Sequence, residues 1–406
     1  MSLVLHPYGG KLDPKTEEGQ TEWGSLVRIL TITPFYPSTP DDGQGCFVSE
    51  PLLWTERMGI DNRVFAVQPF YRRIEPGAST PRANWMRYPS LPAALGLPTA
   101  GTLLFARILP TVRRLHEAGA IDLIHAHAPL PCGHAAMLLN RVLGLPYVVT
   151  VHGLDAFSLN QASGWAGEWC SKITRTVYQS AKSVICISEH VRQRVLAGAA
   201  GCTTTLVYNG ADPKIFSPDP NGQSSANLTV LSIGNLIPIK GHEVLIRAVA
   251  MIADKHRELR CEIVGDGPER ARLELLGRHL GISNRVNFLG RQSRSALAQT
   301  LRRAAVFALP SRYEGLGCVY LEAMACGKVA IGCWGQGIEE IIHHGKNGWL
   351  VAPDSVEDLA SGLAILLEDF DLRGSIGTRA RRTIIEGLSL ESQAERLVRV
   401  YRESLA

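Results

Sequence analysis

Residues 306–328 read Val-Phe-Ala-Leu-Pro-Ser-Arg-Tyr-Glu-Gly-Leu-Gly-Cys-Val-Tyr-Leu-Glu-Ala-Met-Ala-Cys-Gly-Lys, which is an apolar run, a polar loop and then a helical segment. The run at 306–309 predicts a buried strand, and we expect the helix to begin near Gly317. Glu314 then lies in the loop at the carboxyl end of the strand, where α/β sheets bind ligands. Glu322 follows a little over two helical turns later, so it can face the same side as the first turn.

This pair of carboxylates has a functional and a plain interpretation. Carboxylates accept strong, charge-assisted hydrogen bonds, so two of them beside a helix start suit a hydroxyl-rich ligand. The free N–H groups of residues 315–318 can also meet a phosphate at the positive end of the helix dipole. Alternatively, Glu314 is an ordinary acid at a helix N-terminus and Glu322 is solvated. The residues alone leave both interpretations open.

Around this stretch, short apolar runs alternate with longer segments of helical periodicity, the pattern of parallel α/β sheets. The alternation begins again near residue 229, so the fold class we predict is α/β with two Rossmann-like domains. Their strand ends face each other across a deep cleft. The predicted strands are Val27–Thr33, Arg63–Val67, Leu123–Ala126, Tyr147–Val151, Ser183–Ile187, Thr229–Ile233, Cys261–Val264, Val286–Leu289, Val306–Leu309 and Val329–Cys333.

The predicted domain boundaries follow composition and periodicity. A stretch rich in Pro, Asn, Ser and Gly marks a linker, and apolar positions at helical spacing after residue 389 mark a closing helix. We therefore divide the chain into a flexible extension (1–25), an N-terminal domain (26–212), a linker (213–227), a C-terminal domain (228–388) and the closing helix (389–406).

Composition excludes several classes of protein. Of the 406 residues, 45% are hydrophobic and 20% are charged, which fits a globular chain rather than a disordered one. The net charge of +4 is too small to indicate a nucleic-acid partner. Nine cysteines without a CxxC pair, and no apolar signal core in residues 1–25, predict reduced thiols, no zinc site and a cytoplasmic location.

Arginines are concentrated in one region of the first domain, from Arg63 to Arg114. It is either an ordinary solvated surface or a surface for an anionic acceptor or anionic lipid headgroups. The uncharged segment Tyr88–Ala106 contains prolines and glycines that oppose a spanning helix, but it suits a membrane surface. We therefore expect peripheral contact at the inner face of an anionic membrane. The region has one acid, Glu75, against Arg63, Arg72, Arg73, Arg82, Arg87, Arg107, Arg113 and Arg114.

The segment around Glu314 resembles the E-x7-E signature of the retaining family-4 glycosyltransferases, which have the GT-B fold. The similarity covers nearly the whole chain after about Leu26. Six further short motifs occur in the same order as in the family. Each motif alone is weak evidence for the family, but all of them together are specific. They are Gly43-Gln-Gly45, His152-Gly-Leu-Asp155, Asn209-Gly-Ala-Asp212, Gly234-Asn-Leu-Ile-Pro-Ile-Lys-Gly241, Gly265-Asp-Gly-Pro-Glu269 and Gly345-Lys-Asn-Gly348.

The resemblance implies three catalytic residues. Glu314 matches the glutamate near the donor sugar, and Lys240 matches the cation at the donor diphosphate. A fixed cation there stabilises the leaving group without a metal. His152 matches a histidine across the cleft, near the reacting sugar. Without the motif, Lys240 reads as a solvated loop lysine and His152 as a cap for backbone groups.

The resemblance also implies the residues that bind the donor. Glu322 is expected to hold the ribose hydroxyls, and the backbone of Leu316 and Gly317 to meet phosphate. Gly45 is expected in a turn that approaches the donor closely, although Gly43 and Gly45 are also compatible with an ordinary turn. No separate cofactor or metal is implied, because the nucleotide sugar is a substrate.

Two positions depart from the family pattern. Asn235 stands where the family commonly has an arginine, so charge at the diphosphate must come from Lys240, backbone amides or another cation such as Arg291. Gln336 replaces the first of two paired glycines, and Gly337 is expected to keep a free amide for phosphate. These departures bear on donor identity and turnover rather than on fold.

The resemblance implies transfer from a UDP- or GDP-sugar, with retention, to a polysaccharide, lipid-linked or small-molecule acceptor. The first domain would face the acceptor and the second would hold the donor. One alternative is a nucleotide-sugar epimerase of the same architecture, which acts on the donor alone. Another is a non-catalytic protein that binds a nucleotide or sugar, an interpretation favoured by Asn235 and Gln336.

Overall fold

A computed structural model of the protein describes residues 26–39, 41–72, 83–92, 96–157, 164–219 and 228–406. The predicted extension (1–25) and residues 220–227 of the predicted linker lie outside the described residues. So do Arg73, Glu75 and Arg82 of the basic region.

The first sheet consists of parallel strands whose residues are mostly aliphatic or aromatic. Every residue of the strand Tyr147–Val151 is buried, as expected where helices cover both faces of a parallel sheet. The strands are β1 (Val27–Thr33), β2 (Ile60–Pro69), β3 (Ala83–Tyr88), β4 (Leu123–His127), β5 (Tyr147–Val151), β6 (Ser183–Cys186) and β7 (Thr204–Leu206). Across the sheet they run β3-β2-β1-β4-β5-β6-β7.

The second sheet repeats this topology with six parallel strands. They run β10-β9-β8-β11-β12-β13. In chain order they are β8 (Thr229–Ile233), β9 (Arg260–Val264), β10 (Val286–Gly290), β11 (Val306–Ala308), β12 (Val329–Cys333) and β13 (Trp349–Val351). The two sheets confirm the predicted class of two Rossmann-like domains.

Helices connect the strands and cover both sheets. In the first domain they are α1 (Cys46–Arg57), α2 (Leu97–Glu117), α3 (His134–Leu143), α4 (Gly164–Ser180) and α5 (Glu189–Gly198). After β8 they are α6 (His242–Ile252), α7 (Arg270–His279), α8 (Arg294–Arg303), α9 (Cys318–Ala325), α10 (Val356–Glu368), α11 (Phe370–Gly387) and α12 (Leu390–Leu405).

The strand order reverses once in each sheet, between β1 and β4 and between β8 and β11. At such a switch point the connections leave toward opposite faces, which opens a crevice beyond the carboxyl ends of the strands. His127 ends β4, and the loops after β1, β8 and β11 carry the Gly43–Gly45 pair, Lys240 and Glu314. The topology therefore places most of the predicted site residues at two crevices.

The last helix, α12, returns to the first domain. Its apolar face packs with Ile29, Leu123 and Val148 of that domain's sheet. The hydroxyl of Tyr401 lies 2.8 Å from Nδ1 of His125, a buried residue of β4. The end of the chain thus forms part of the support beneath the first crevice.

The described residues of the uncharged segment 88–106 include parts of β3 and α2. Tyr88 ends β3, and residues 97–106 begin α2, which buries Ala100, Leu104 and Ile108 in the core. Within the described residues, no helix is long and apolar enough to cross a bilayer.

Candidate active site

An ion pair occupies the crevice of the second domain. The chain leaves β8 and forms a short 3₁₀ turn, Pro238–Lys240. The Nζ of Lys240 then lies 2.6 Å from Oε2 of Glu314, which follows β11. Both side chains are partly accessible, at 20% and 13% of their surface. A cation and an anion therefore stand together at the switch point, within reach of solvent.

Glu322 lies deeper and belongs to a buried network. Its Oε1 accepts a 2.5 Å hydrogen bond from Nη1 of Arg294, at the start of α8. Nε and Nη2 of Arg294 donate to the two carboxylate oxygens of Glu50 in α1, at 2.8 and 2.9 Å. Burial alone would lower the pKa of Arg294, but the carboxylates of Glu322 and Glu50 outweigh it and raise that pKa. One guanidinium thus joins the two domains.

The N-terminal end of α9 lies beside this network and carries the positive end of the helix dipole. Gly317 precedes the helix with φ of 79°, and a Cβ there would meet the ring of Tyr320 at 2.7 Å. Leu316 is fully buried, so its side chain packs in the core and cannot contact a ligand. Within the described part of the chain, the amides of residues 316–318 donate to no protein acceptor. The helix start can accept an anion.

The loop that contains Gly337 contradicts the expectation that the amide of this glycine is free to bind phosphate. The amide of Gly337 donates to the carbonyl oxygen of Glu314 at 3.0 Å, so it is not free for phosphate. The glycine is needed for close packing instead, because a Cβ there would lie 1.8 Å from the carbonyl oxygen of Gly315. Gln336 replaces a family glycine, and its Oε1 accepts from the amide of Glu314 at 3.0 Å. The loop therefore braces Glu314.

Asn235, at the position of the family's arginine, and Arg291, considered as a substitute cation, follow different strands of the second sheet. Asn235 is exposed directly after β8, next to the turn that carries Lys240. Arg291 is exposed after β10, the edge strand. With its amide oxygen facing the guanidinium, Gln44 accepts from Nη1 of Arg291 at 2.7 Å. Arg291 therefore faces the Gly43–Gly45 loop of the other domain.

Gly45 is fixed by its backbone conformation. Its φ of 81° lies in the left-handed region, and a Cβ would come 2.9 Å from the backbone of Phe35 and Tyr36. The tight turn lets α1 begin beside the crevice of the first domain, so Phe47 contacts the His152 ring in that crevice and Glu50 reaches Arg294 of the second domain. A side chain at residue 45 would displace this turn.

Neutral aromatic groups line the crevice of the first domain. Nε2 of His152, just after β5, lies 3.0 Å from Nδ1 of His127, and the rings stack. Phe35 and Phe47 contact the His152 ring through their edges. Burial lowers the pKa of His152 to about 3 and that of His127 well below its ordinary value. Both imidazoles are therefore uncharged at neutral pH.

The motif after His152 brings the two domains into contact. Oδ1 of Asp155 accepts from the amide of His152 at 2.9 Å, and burial raises the pKa of Asp155 to about 6. Gly153, with φ of 130°, would place a Cβ 3.3 Å from the hydroxyl oxygen of Tyr313. The loop that carries His152 thus meets the loop that carries Glu314.

Comparison of the sequence with known proteins identifies its family. Residues 55–215 match the model described as Glycosyltransferase Family 4, and residues 214–383 match Glycosyl transferases group 1. The chain is 31% identical to a D-inositol 3-phosphate glycosyltransferase of Corynebacterium jeikeium, over 93% of this chain and 96% of the relative. The chain is a family-4 glycosyltransferase.

Solved structures show the same GT-B fold for this glycosyltransferase. Sucrose-phosphate synthase from Thermosynechococcus elongatus aligns with a TM-score of 0.75 and 23% identity, over 93% of this chain and 98% of that one. HepE from Anabaena, in complex with UDP, aligns with a TM-score of 0.71 and 20% identity, over 92% and 99%. At these identities the likeness establishes the fold.

Three residues of the glycosyltransferase site were missed in the sequence. His127 had a usable signal, because His125-Ala-His127 alternates at a strand end and so puts both rings on one face. Arg294 and Glu50 had none, because they lie 244 positions apart. Among the residues that the structure describes, no cluster of three His, Cys, Asp or Glu side chains is arranged to hold a metal ion.

Proposed function

We propose that this glycosyltransferase transfers a sugar from a nucleoside diphosphate sugar, UDP- or GDP-linked, with retention of anomeric configuration. The observation that carries the proposal is the partly accessible Lys240–Glu314 pair beside the start of α9, opposite the neutral His152. The fold neighbour HepE has been solved with UDP and with UDP-glucose, which supports a nucleotide-sugar donor by analogy.

Lys240 and the α9 amides would act on the leaving group. As the glycosidic bond breaks, negative charge grows on the departing diphosphate, and a prearranged cation stabilises that charge more than the ground state. The Nζ of Lys240 already lies beside Glu314, so a bound diphosphate would share this cation. Glu322 would hold the ribose hydroxyls, and Leu316 and Gly317 would contribute backbone amides. No metal ion is required in this scheme.

The first domain would act on the sugar and the acceptor. A neutral His152 can exchange hydrogen bonds with sugar hydroxyls without placing a second charge in the cleft. Glu314 is committed to Lys240, which disfavours a covalent glycosyl intermediate and favours attack from the face that the diphosphate leaves. The departing phosphate oxygen would then take the acceptor proton. Phe35 and Phe47 would help to exclude water and limit donor hydrolysis.

The acceptor would be a polysaccharide or lipid-linked saccharide at the cytoplasmic membrane face. Arg107, Arg113 and Arg114 are exposed on α2, a charge pattern that attracts anionic lipid headgroups. Several large apolar side chains at the carboxyl edge of the first sheet are also exposed: Phe70, Tyr71, Leu91, Trp165 and Trp169.

Sedimentation with anionic liposomes at low salt tests the membrane contact. Replacing Arg107, Arg113 and Arg114 with glutamine should release the protein. The matched control replaces three exposed arginines of the other domain, Arg257, Arg260 and Arg278, and should leave binding unchanged. Equal binding by both triple variants, or no binding by the unaltered protein, would contradict the proposed contact.

The enzymatic proposal is tested by incubating the protein with UDP- and GDP-sugars and candidate glycan acceptors, in EDTA or in magnesium. We expect acceptor-dependent release of nucleoside diphosphate in both buffers, and a product whose anomeric proton coupling matches that of the donor. Interconversion of donor sugars without acceptor would identify an epimerase instead. Binding without release would identify a non-catalytic binding protein, and an inverted product would refute retention.

A further inference from the structure

The network of Glu50, Arg294 and Glu322 is unusual because two charged side chains of the second domain, Arg294 and Glu322, are buried together and the partly exposed Glu50 of the first domain completes the network. Arg294 is 7% exposed and Glu322 is 2% exposed. Two carboxylates share one guanidinium, which gives the network one formal negative charge, most of it removed from solvent. Such an arrangement carries a large desolvation penalty, and apolar residues of similar volume often give equal or greater stability. Stability is therefore a weak reason for the network to exist.

One atom of the network has its hydrogen-bonding capacity unused. Within the described residues, Oε2 of Glu322 is buried and has no hydrogen-bond partner, whereas Oε1 is held by Arg294 at 2.5 Å. Buried carboxylate oxygens are normally satisfied. A ligand hydroxyl that donates to Oε2 would complete the coordination of this carboxylate, and Glu322 lies one turn into α9, whose start faces the Lys240–Glu314 pair.

The guanidinium has a fixed orientation. Two parallel hydrogen bonds to Glu50 define its plane, and the ring of Phe216 lies 4.7 Å from its central carbon. Paired bonds of this kind are geometrically specific in a way that a lysine ammonium cannot reproduce. The remaining Nη1 is thereby aimed at Oε1 of Glu322, so the carboxylate cannot turn freely about its own axis.

We propose that Arg294 is a positioning residue for the donor ribose, which fixes Glu322 so that Oε2 is presented to the ribose hydroxyls. Because Glu50 belongs to the other domain, the same guanidinium couples ribose binding to the packing of α1 against the second domain. This inference rests on the proposed nucleotide-sugar function. It predicts that a change at Arg294 acts on recognition of the ribose hydroxyl rather than on the diphosphate.

The test compares two ligands that differ by one hydroxyl. Calorimetry gives the dissociation constants of the nucleoside diphosphate that binds best among UDP, GDP and ADP, and of its 2′-deoxy counterpart. The unaltered protein should prefer the ribose form by roughly tenfold to a hundredfold, the range for a hydrogen bond to a charged group. In Arg294→Lys this preference should fall to within about threefold. The lysine ammonium keeps the positive charge but cannot fix the orientation of the Glu322 carboxylate.

The matched control is Arg302→Lys in the same helix. Arg302 donates to the carbonyl oxygens of Ser217 and Ile215 at 3.0 and 2.8 Å, so it holds backbone groups rather than Glu50 or Glu322. It should leave the ribose preference unchanged. If Arg294→Lys does not fold, Glu50→Gln serves, since it removes one charge and one acceptor at similar volume and should reduce the preference at least threefold.

The outcomes separate the two proposals. A protein that binds none of the nucleoside diphosphates overturns the proposed function, and this inference with it. Binding with an intact preference for ribose in Arg294→Lys, or in Glu50→Gln where the first variant does not fold, overturns the inference alone. Absence of any ribose preference in the unaltered protein does the same. Loss of preference in Arg302→Lys as well would show a merely structural effect and also overturn it.

Discussion

The two crevices have the same topology but opposite chemistry. In the second domain, charged groups stand at the switch point, with the Lys240–Glu314 pair at 2.6 Å and the start of α9 beside it. In the first domain, the corresponding strand ends carry stacked neutral imidazoles, His127 and His152, flanked by Phe35 and Phe47. One topology thus supports two different groups of side chains. We call the Lys240–Glu314 crevice the charged half and the His127–His152 crevice the neutral half.

This contrast matches the parts of a nucleotide sugar. The diphosphate gains charge as the bond breaks, so it requires fixed cations and amides. The sugar ring is uncharged and requires hydrogen bonds and apolar walls. We infer that the charged half provides most of the catalytic stabilisation and that the neutral half provides orientation and excludes water. Each of the following experiments would strengthen or remove that division.

The largest effect is expected from Lys240→Ala in the charged half. Loss of one fixed charge stabiliser should lower turnover by about two to three orders of magnitude, by analogy with other single stabilisers of a transition state. The measurement is nucleoside diphosphate release at saturating donor. Lys255→Ala is the matched control, because Lys255 pairs with Glu368 on the surface at 2.6 Å. Full activity of Lys240→Ala would remove the charged half from the mechanism.

The neutral half should contribute to how stability depends on pH. Burial lowers the pKa of His125 and of His152 to about 3, so between about pH 3 and 6.5 the unfolded chain binds more protons than the folded one. Stability therefore falls as the pH is lowered through this window, by about 2 kcal/mol per histidine from pH 7 to 5. The raised pKa of Asp155, about 6, opposes this by about 1 kcal/mol.

Urea denaturation at pH 7 and pH 5 measures this dependence. In His152→Asn the loss of stability between the two pH values should shrink by about 2 kcal/mol, since one depressed group has been removed. The exposed His279→Asn controls for the substitution itself. An unchanged loss in His152→Asn would mean that folding does not lower the pKa of His152, and the contrast between the two halves would no longer hold below about pH 6.5.

The smallest effect is expected from adding charge where the family has it. Asn235→Arg places a cation on an exposed position beside the Lys240 turn. An exposed charge contributes little, so affinity for nucleoside diphosphate should rise only about threefold to fivefold. Titration of the variant at low and moderate salt would show the gain and its screening. Unchanged affinity at low salt would place the diphosphate away from the end of β8.

Much of the fold was predictable because buried parallel strands are continuous apolar runs. The predicted bounds of Val27–Thr33, Tyr147–Val151, Thr229–Ile233 and Val329–Cys333 agree with the structure. The strands Ala83–Tyr88, Thr204–Leu206 and Trp349–Val351 were not predicted. All three lie at sheet edges, where a strand is short or half exposed and its pattern is mixed.

The site was predictable only where a local motif carried it. Glu314 was placed beyond a strand end by the sequence pattern, whereas Lys240 was assigned to the donor diphosphate only through the family resemblance. The contact of Arg294 with Glu50 joins distant segments and has no local signature, so no spacing rule finds it. The expectation for Gly337 was wrong because a glycine that permits a close approach and one that offers a free amide look identical in sequence.

The central claim is that the charged half binds the nucleoside diphosphate and the neutral half does not. Calorimetry with UDP, GDP and ADP in EDTA tests it on the unaltered protein, on Lys240→Ala and on His152→Asn. We expect one nucleoside diphosphate to bind, with affinity at least tenfold weaker in Lys240→Ala and within about threefold of the original in His152→Asn. No binding by the unaltered protein, or equal weakening in both variants, would contradict the account.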